Sequence, residues 1–180
     1  GESKEIARLL AASVVMEADY LLEPMTAGSS EWLDKWDGKL SSILDQADDE
    51  GYHLYVLCGE EDLHYDYDQY LEYMRKKKAG LCMLRLLNSK GLSRDLEDRL
   101  SDYLREHTKG CESEAAFRYL TENHGDDIKY YELMISLSCI NEANLEAVIS
   151  DLSDRHAEAK SYILNSFGGK KDDFFDDLFI

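Results

Sequence analysis

The sequence predicts an all-α protein, an irregular bundle of seven to eight helices. Pro24 is the only proline among 180 residues, so long stretches are free of the residue that most strongly breaks a helix. Apolar side chains recur at i, i+3 and i+4 along most of the chain, the period of a helix with one buried face. Ser, Gly and Asn punctuate these runs where helices start and stop.

A first helix is expected over about 3–22, with Ile6, Leu9, Leu10, Val14, Ala18 and Leu21 on one face. Pro24 and the run Thr26-Ala27-Gly28-Ser29 end it. Ser30 is positioned to cap a second helix, whose stripe is Leu33, Trp36, Leu40, Ile43, Leu44 and Ala47. Residues 52–58, Tyr-His-Leu-Tyr-Val-Leu-Cys, lie between Gly51 and Gly59. They fit either a helix or one short strand; a lone strand lacks a pairing partner, which favours helix. An acidic helix follows through Leu63, Tyr67, Tyr70, Leu71 and Met74. Its basic run Arg75-Lys76-Lys77-Lys78 suits a C-terminus, where the helix dipole favours cations. Leu81 to Leu87 reads as a separate short helix, apolar almost all round, stopped by Asn88-Ser89-Lys90-Gly91. Ser93 caps the next, with Leu96, Leu100, Tyr103 and Leu104 inward and Gly110 closing it. Further helices are expected over about 113–123, 127–140 and 142–167. The domain reading is one helical unit over 1–167, with a candidate subdivision near 88–92, and a flexible acidic-aromatic tail over 168–180.

Hydrophobic content of 44% supplies a core, and charged content of 32% an enlarged polar surface. The net charge of −18 repels phosphate, so direct nucleic-acid binding by the whole molecule is not expected. No run approaches the roughly 18 apolar residues of a membrane span, and the beginning Glu2-Ser3-Lys4-Glu5-Ile6 lacks the pattern of a signal peptide. Cys58, Cys82, Cys111 and Cys139 stand far apart, with no metal-knuckle spacing. They are expected as reduced, buried thiols of a cytoplasmic protein.

Charge is segregated along the chain. From Asp45 to Glu72 there are ten carboxylates and no Lys or Arg: Asp45, Asp48, Asp49, Glu50, Glu60, Glu61, Asp62, Asp66, Asp68 and Glu72. Tyr52, Tyr55, Tyr65, Tyr67 and Tyr70 are interleaved with them. Carboxylates spread over helix surfaces can imitate the phosphates of a duplex, and Tyr adds interface area with a polar tip. The partner-binding candidates are the ten acids with Tyr65 and Tyr67. The alternative is a solvated face with its tyrosines turned inward. His64 and Asp68 would share a helix face while Asp66 would not, and no calcium-loop or zinc motif is present. Neither a metal nor a cofactor is therefore expected.

Residues 73–109 reverse the sign, with ten Lys/Arg against five acids. A DNA-reading helix pair over this segment is disfavoured by its interleaved Asp95, Glu97, Asp98 and Asp102. Internal pairs such as Asp95 with Arg99 and Asp98 with Arg94 are expected instead. In the tail, acids flank Phe174, Phe175, Leu178 and Phe179. This resembles the acidic terminal peptide of bacterial single-stranded-DNA-binding proteins, though the closing Pro-Phe is missing. It also resembles sliding-clamp-binding peptides, without their Gln. No nucleophile elbow or phosphate loop is found, and the chain is read as non-enzymatic.

In size, charge and helical pattern the chain resembles the small acidic inhibitors of phages and mobile elements, including anti-CRISPR proteins. The resemblance implies an acidic face docked on a basic nucleic-acid-binding protein or nuclease, such as a Cas9-type effector, and blocking its nucleic-acid channel. Toxin-immunity proteins share the same character. A helical adaptor that touches nucleic acid through 75–109 is the alternative from a different class.

Overall fold

The computed structural model describes residues 1–52, 67–109, 114–152 and 154–168, and among these it contains eight α-helices, one 3-10 turn and no strand. The all-α expectation holds. Of the candidate strand at 52–58, residues 53–58 lie outside the described residues, as do Cys58, Cys111, Gly110 and the tail from 169 onward. Contacts divide the chain into two compact units, Gly1–Leu104 and a second that begins at Arg105. Residues 88–92 form a turn inside the first unit.

In the first unit, α1 (Glu2–Val15) is shorter than its apolar pattern suggested. Ala18 N–H bonds to Ser13 C=O and Glu17 N–H to Val14 C=O, which closes the helix with Glu17 in the left-handed region at φ 57°. Ala18 therefore precedes a 3-10 turn, Asp19–Leu21, and Leu21 ends it, so neither lies on α1. The buried face of α1 is Leu9, Ala12 and Ser13, while Val14 points to solvent. Helix α2 (Ser30–Asp45) is capped one residue earlier than expected: the Ser29 hydroxyl accepts from Trp32 N–H at 3.1 Å. Its buried stripe is Trp32, Leu33, Trp36, Leu40 and Ile43, and Ala47 lies beyond it in the open. Both indoles are buried and anchored. Trp32 Nε1 donates to Leu21 C=O at 3.0 Å and Trp36 Nε1 to Leu9 C=O at 2.9 Å.

The two helices expected around the Arg75–Lys78 run are one, α3 (Tyr67–Leu87). The cations do not mark a helix end: Asp48, beyond α2, holds Arg75 and Lys78, and Glu72 of the same helix pairs with Lys76, so the helix continues from an exposed start into a buried stretch, Lys78 to Met83. The turn after it is closed by Leu92 N–H to Ser89 C=O at 3.0 Å, with Gly91 at φ 65° against Leu33. Helix α4 (Arg94–Glu106) starts as read, the Ser93 hydroxyl accepting from Leu96 N–H at 3.3 Å. It buries Leu100, Ser101 and Leu104. Helix α1 packs on α3 and on the 3-10 turn, and α2 packs on both as well.

A buried ion pair ties this unit together. Arg85 of α3 is completely buried and holds Asp37 of α2 through both carboxylate oxygens, at 2.7 and 3.1 Å. Its remaining donors bond to the carbonyls of Asn88 and Lys90, at the end of α3 and in the turn beyond. Asn88 in turn bonds to Arg8 of α1 and to the Leu84 carbonyl.

The second unit contains α5 (Ala115–His124), α6 (Ile128–Ser136), α7 (Leu145–Leu152) and α8 (Ala157–Ser166). Asp127 caps α6 by accepting from Lys129 N–H. That helix stops short of the expected 140: Ser138, at φ 61°, turns the chain, and Cys139 N–H bonds to Met134 C=O. The single helix expected over 142–167 is two, α7 and α8, both buried at their apolar stripes. The break places His156 ahead of α8, with Nδ1 3.0 Å from Asp126. Its ring fills the space beside Gly125, where a Cβ would lie 2.3 Å from it. Helices α6 and α7 both pack on α8. The described thiols, Cys82 and Cys139, are free and buried, and burial pushes both thiol pKa values up.

Candidate protein-docking surface

Folding brings the acidic and basic stretches of the first unit onto each other. Asp48 lies 2.8 Å from Lys78 Nζ and 3.0 Å from Arg75 Nε. Half-burial pushes its carboxyl up, but hydrogen bonds and charge from Lys78 and Arg75 outweigh this and hold it below the usual carboxylate range. Lys78 itself is buried and also donates to Gln46 C=O. Asp45, at the end of α2, pairs with Arg99 of α4, so Arg99 is committed across helices rather than to Asp95. Glu72 pairs with Lys76 one turn along α3, at 3.5 Å. These three acids balance cations of their own unit.

Two other predicted acids have a different setting. Asp49 accepts from the Tyr67 hydroxyl at 2.9 Å, and Glu50 beside it is exposed. The Asp49 hydrogen bond raises the Tyr67 phenol pKa. Tyr52 packs edge-on against Tyr67, with centroids 5.2 Å apart, and at a tilt against Tyr70 at 5.7 Å, the geometries that aromatic rings prefer. Asp68 is exposed in the first turn of α3, where the dipole favours a carboxylate. Thus Asp49, Glu50, Tyr67 and Asp68 lie at one junction between the end of the α2 region and the start of α3. Glu60, Glu61, Asp62, Tyr65 and Asp66 lie outside the described residues, as do Phe174, Phe175, Leu178 and Phe179.

Tyr52 and Tyr70 join this junction although they stood outside the candidate list. Their signal in the sequence was the tyrosine spacing; the ring contacts depend on how the turn before Tyr52 folds back on α3. Burial raises the Tyr70 phenol pKa, helped by nearby Tyr73 and Glu17.

The basic segment is largely spent on internal structure. Besides Arg75, Lys76, Lys78, Arg85 and Arg99, Lys90 pairs with Glu2 at 2.8 Å, and Arg105 donates to Leu137 C=O in the second unit. Among the described residues no helix is long and apolar enough to cross a membrane. No protein-family model matches the chain, and no curated protein or solved structure matches it either.

Proposed function

We propose that this protein is a non-enzymatic inhibitor that docks an acidic, Tyr-bearing face on the basic surface of a nucleic-acid-binding protein or nuclease, in the manner of an anti-CRISPR protein on a Cas9-type effector. The reading rests on one observation. Asp49, Glu50 and Asp68 are grouped with Tyr52, Tyr67 and Tyr70 at one junction of a chain whose net charge is −18. Carboxylates with partly exposed tyrosines suit a partner rich in Arg, which binds both anions and aromatic faces. The internal use of the basic segment supports docking to protein over direct contact with nucleic acid.

The test is binding of the full chain to a Cas9-type effector as salt is raised. A mimic loses affinity steeply and competes with duplex DNA. Reversing Asp49, Glu50 and Asp68 to Lys should weaken binding at least tenfold, while reversing the internally paired Glu72 should do less. A DNA shift by the protein alone at physiological salt, or indifference to the triple reversal, would overturn the reading.

A further inference from the structure

Five of the seven large apolar side chains that the described residues expose fall within one short stretch of the first unit: Val14, Val15, Tyr20, Leu22 and Met25. Met25 is 93% exposed, Val14 63% and Tyr20 61%. Looseness does not explain this exposure. The residues between them, Met16, Ala18 and Leu21, are fully buried, and Trp32 Nε1 clamps the Leu21 carbonyl. The backbone around Leu21 is therefore fixed, and the five apolar side chains stand exposed around the end of α1 and the 3-10 turn.

Every charge within that stretch is negative. Glu17, Asp19 and Glu23 are exposed there, and no Lys or Arg occurs between Arg8 and Lys35. Glu17 occupies a left-handed position that glycine would take without steric cost. The chain instead carries a carboxylate at the centre of the patch, and such a conformation in a non-glycine residue is a pointer to use. Glu17 also lies near enough to Tyr70 to raise its pKa, which makes the patch neighbour to α3.

We propose that residues 14–25 form a second docking surface, separate from the acidic junction above and independent of it, for a cationic amphipathic segment of another protein. Its apolar side chains cover Val14, Val15, Tyr20 and Met25, and its Lys or Arg side chains meet Glu17, Asp19 and Glu23. Charge complementarity selects this occupant. A second copy of a chain carrying −18 repels the first, and an anionic lipid surface is repelled by the same carboxylates.

The probe is a synthetic amphipathic helix built only of Leu and Lys, titrated into the isotope-labelled full chain. Amide shifts should centre on residues 14–25, and a peptide of Ser and Lys with the same charge should bind at least tenfold more weakly. The triple variant Val14→Ser, Tyr20→Ser, Met25→Ser leaves charge and buried contacts intact and should weaken the Leu/Lys peptide at least tenfold. Unchanged affinity, or shifts confined to residues 45–52 and 67–72, would overturn this surface while leaving the acidic junction standing. A dimer that the triple variant dissociates, or binding of the chain to phosphatidylserine vesicles that it abolishes, would also overturn it by assigning the patch to another occupant.

Discussion

Replacing Asp37 with Ala removes the partner of a completely buried guanidinium. Arg85 has no exposed surface and Asp37 little, so water cannot replace the lost carboxylate. Two charge-assisted hydrogen bonds disappear, at 2.7 and 3.1 Å, and the cation stays behind, tethered only to the carbonyls of Asn88 and Lys90. Breaking a buried pair from one side costs about 3–5 kcal/mol, a large part of the roughly 5–15 kcal/mol that holds a domain together. The exposed pair of Lys35 with Glu31, one turn apart on the same helix, is the internal control; Lys35→Ala should cost about 0.5 kcal/mol or less. The assay is urea unfolding followed by tryptophan fluorescence. Both tryptophans of the chain, Trp32 and Trp36, are buried in the first unit, so the signal reports that unit alone. With a slope of about 1.5 kcal/mol per molar urea, the midpoint should fall by roughly 2–3 M. An Asp37→Ala midpoint within experimental error of Lys35→Ala would refute the keystone role of this pair.

Asp48→Ala should cost less, about 1–3 kcal/mol, because its carboxylate is partly open to water although it leaves Lys78 buried. With its folded pKa lowered, Asp48 stabilises above the ordinary carboxylate pKa and loses that contribution as pH falls through the folded value; an acid titration of wild type against Asp48→Asn reads the difference. Glu17→Gly should stabilise the first unit by about 0.5–1 kcal/mol, since glycine relieves the left-handed strain at the end of α1. Glu17→Ala, which keeps the Cβ, should show no such gain, and equal effects in the two variants would refute the strain argument. His124 stacks on Tyr130 at 3.8 Å with rings nearly parallel and lies 3.3 Å from the Tyr119 hydroxyl. Burial lowers its pKa against a weaker opposite pull from Asp127. The unfolded chain therefore takes up this proton first, and the stability of the second unit should fall as pH drops below about 6.5. His124→Phe keeps the stack and should remove that slope in circular-dichroism melts at about pH 7.5 and 5.5; a slope that survives would refute the assignment.

Several elements were legible because their signals are local. Ser93 caps α4, Gly91 takes the positive φ of the turn before it, and α2 buries Trp36, Leu40 and Ile43 as its period required. The helix ends at Val15 and Ser136 were harder to see. There the left-handed residue is Glu17 or Ser138 rather than glycine, so the usual stop signal is missing. The continuous α3 was hidden by Arg75-Lys76-Lys77-Lys78, a run that looks like a terminus until its partners are known. In the candidate docking surface, the list of acids was readable, but their availability was not.

The sequence by itself determined that the chain is helical, strongly acidic and divided into stretches of opposite sign. Periodicity, caps and composition act within a turn or two of helix, and residues that near in sequence are near in space. Only the tertiary structure decided what those charges do. Asp37 meets Arg85 across 48 residues and Asp45 meets Arg99 across 54, because the packing of α2 against α3 and the placement of α4 set which charges lie within a few ångströms. Coulomb attraction between partly buried groups depends on that distance and on exclusion of water, and neither is written in the spacing of residues along the chain.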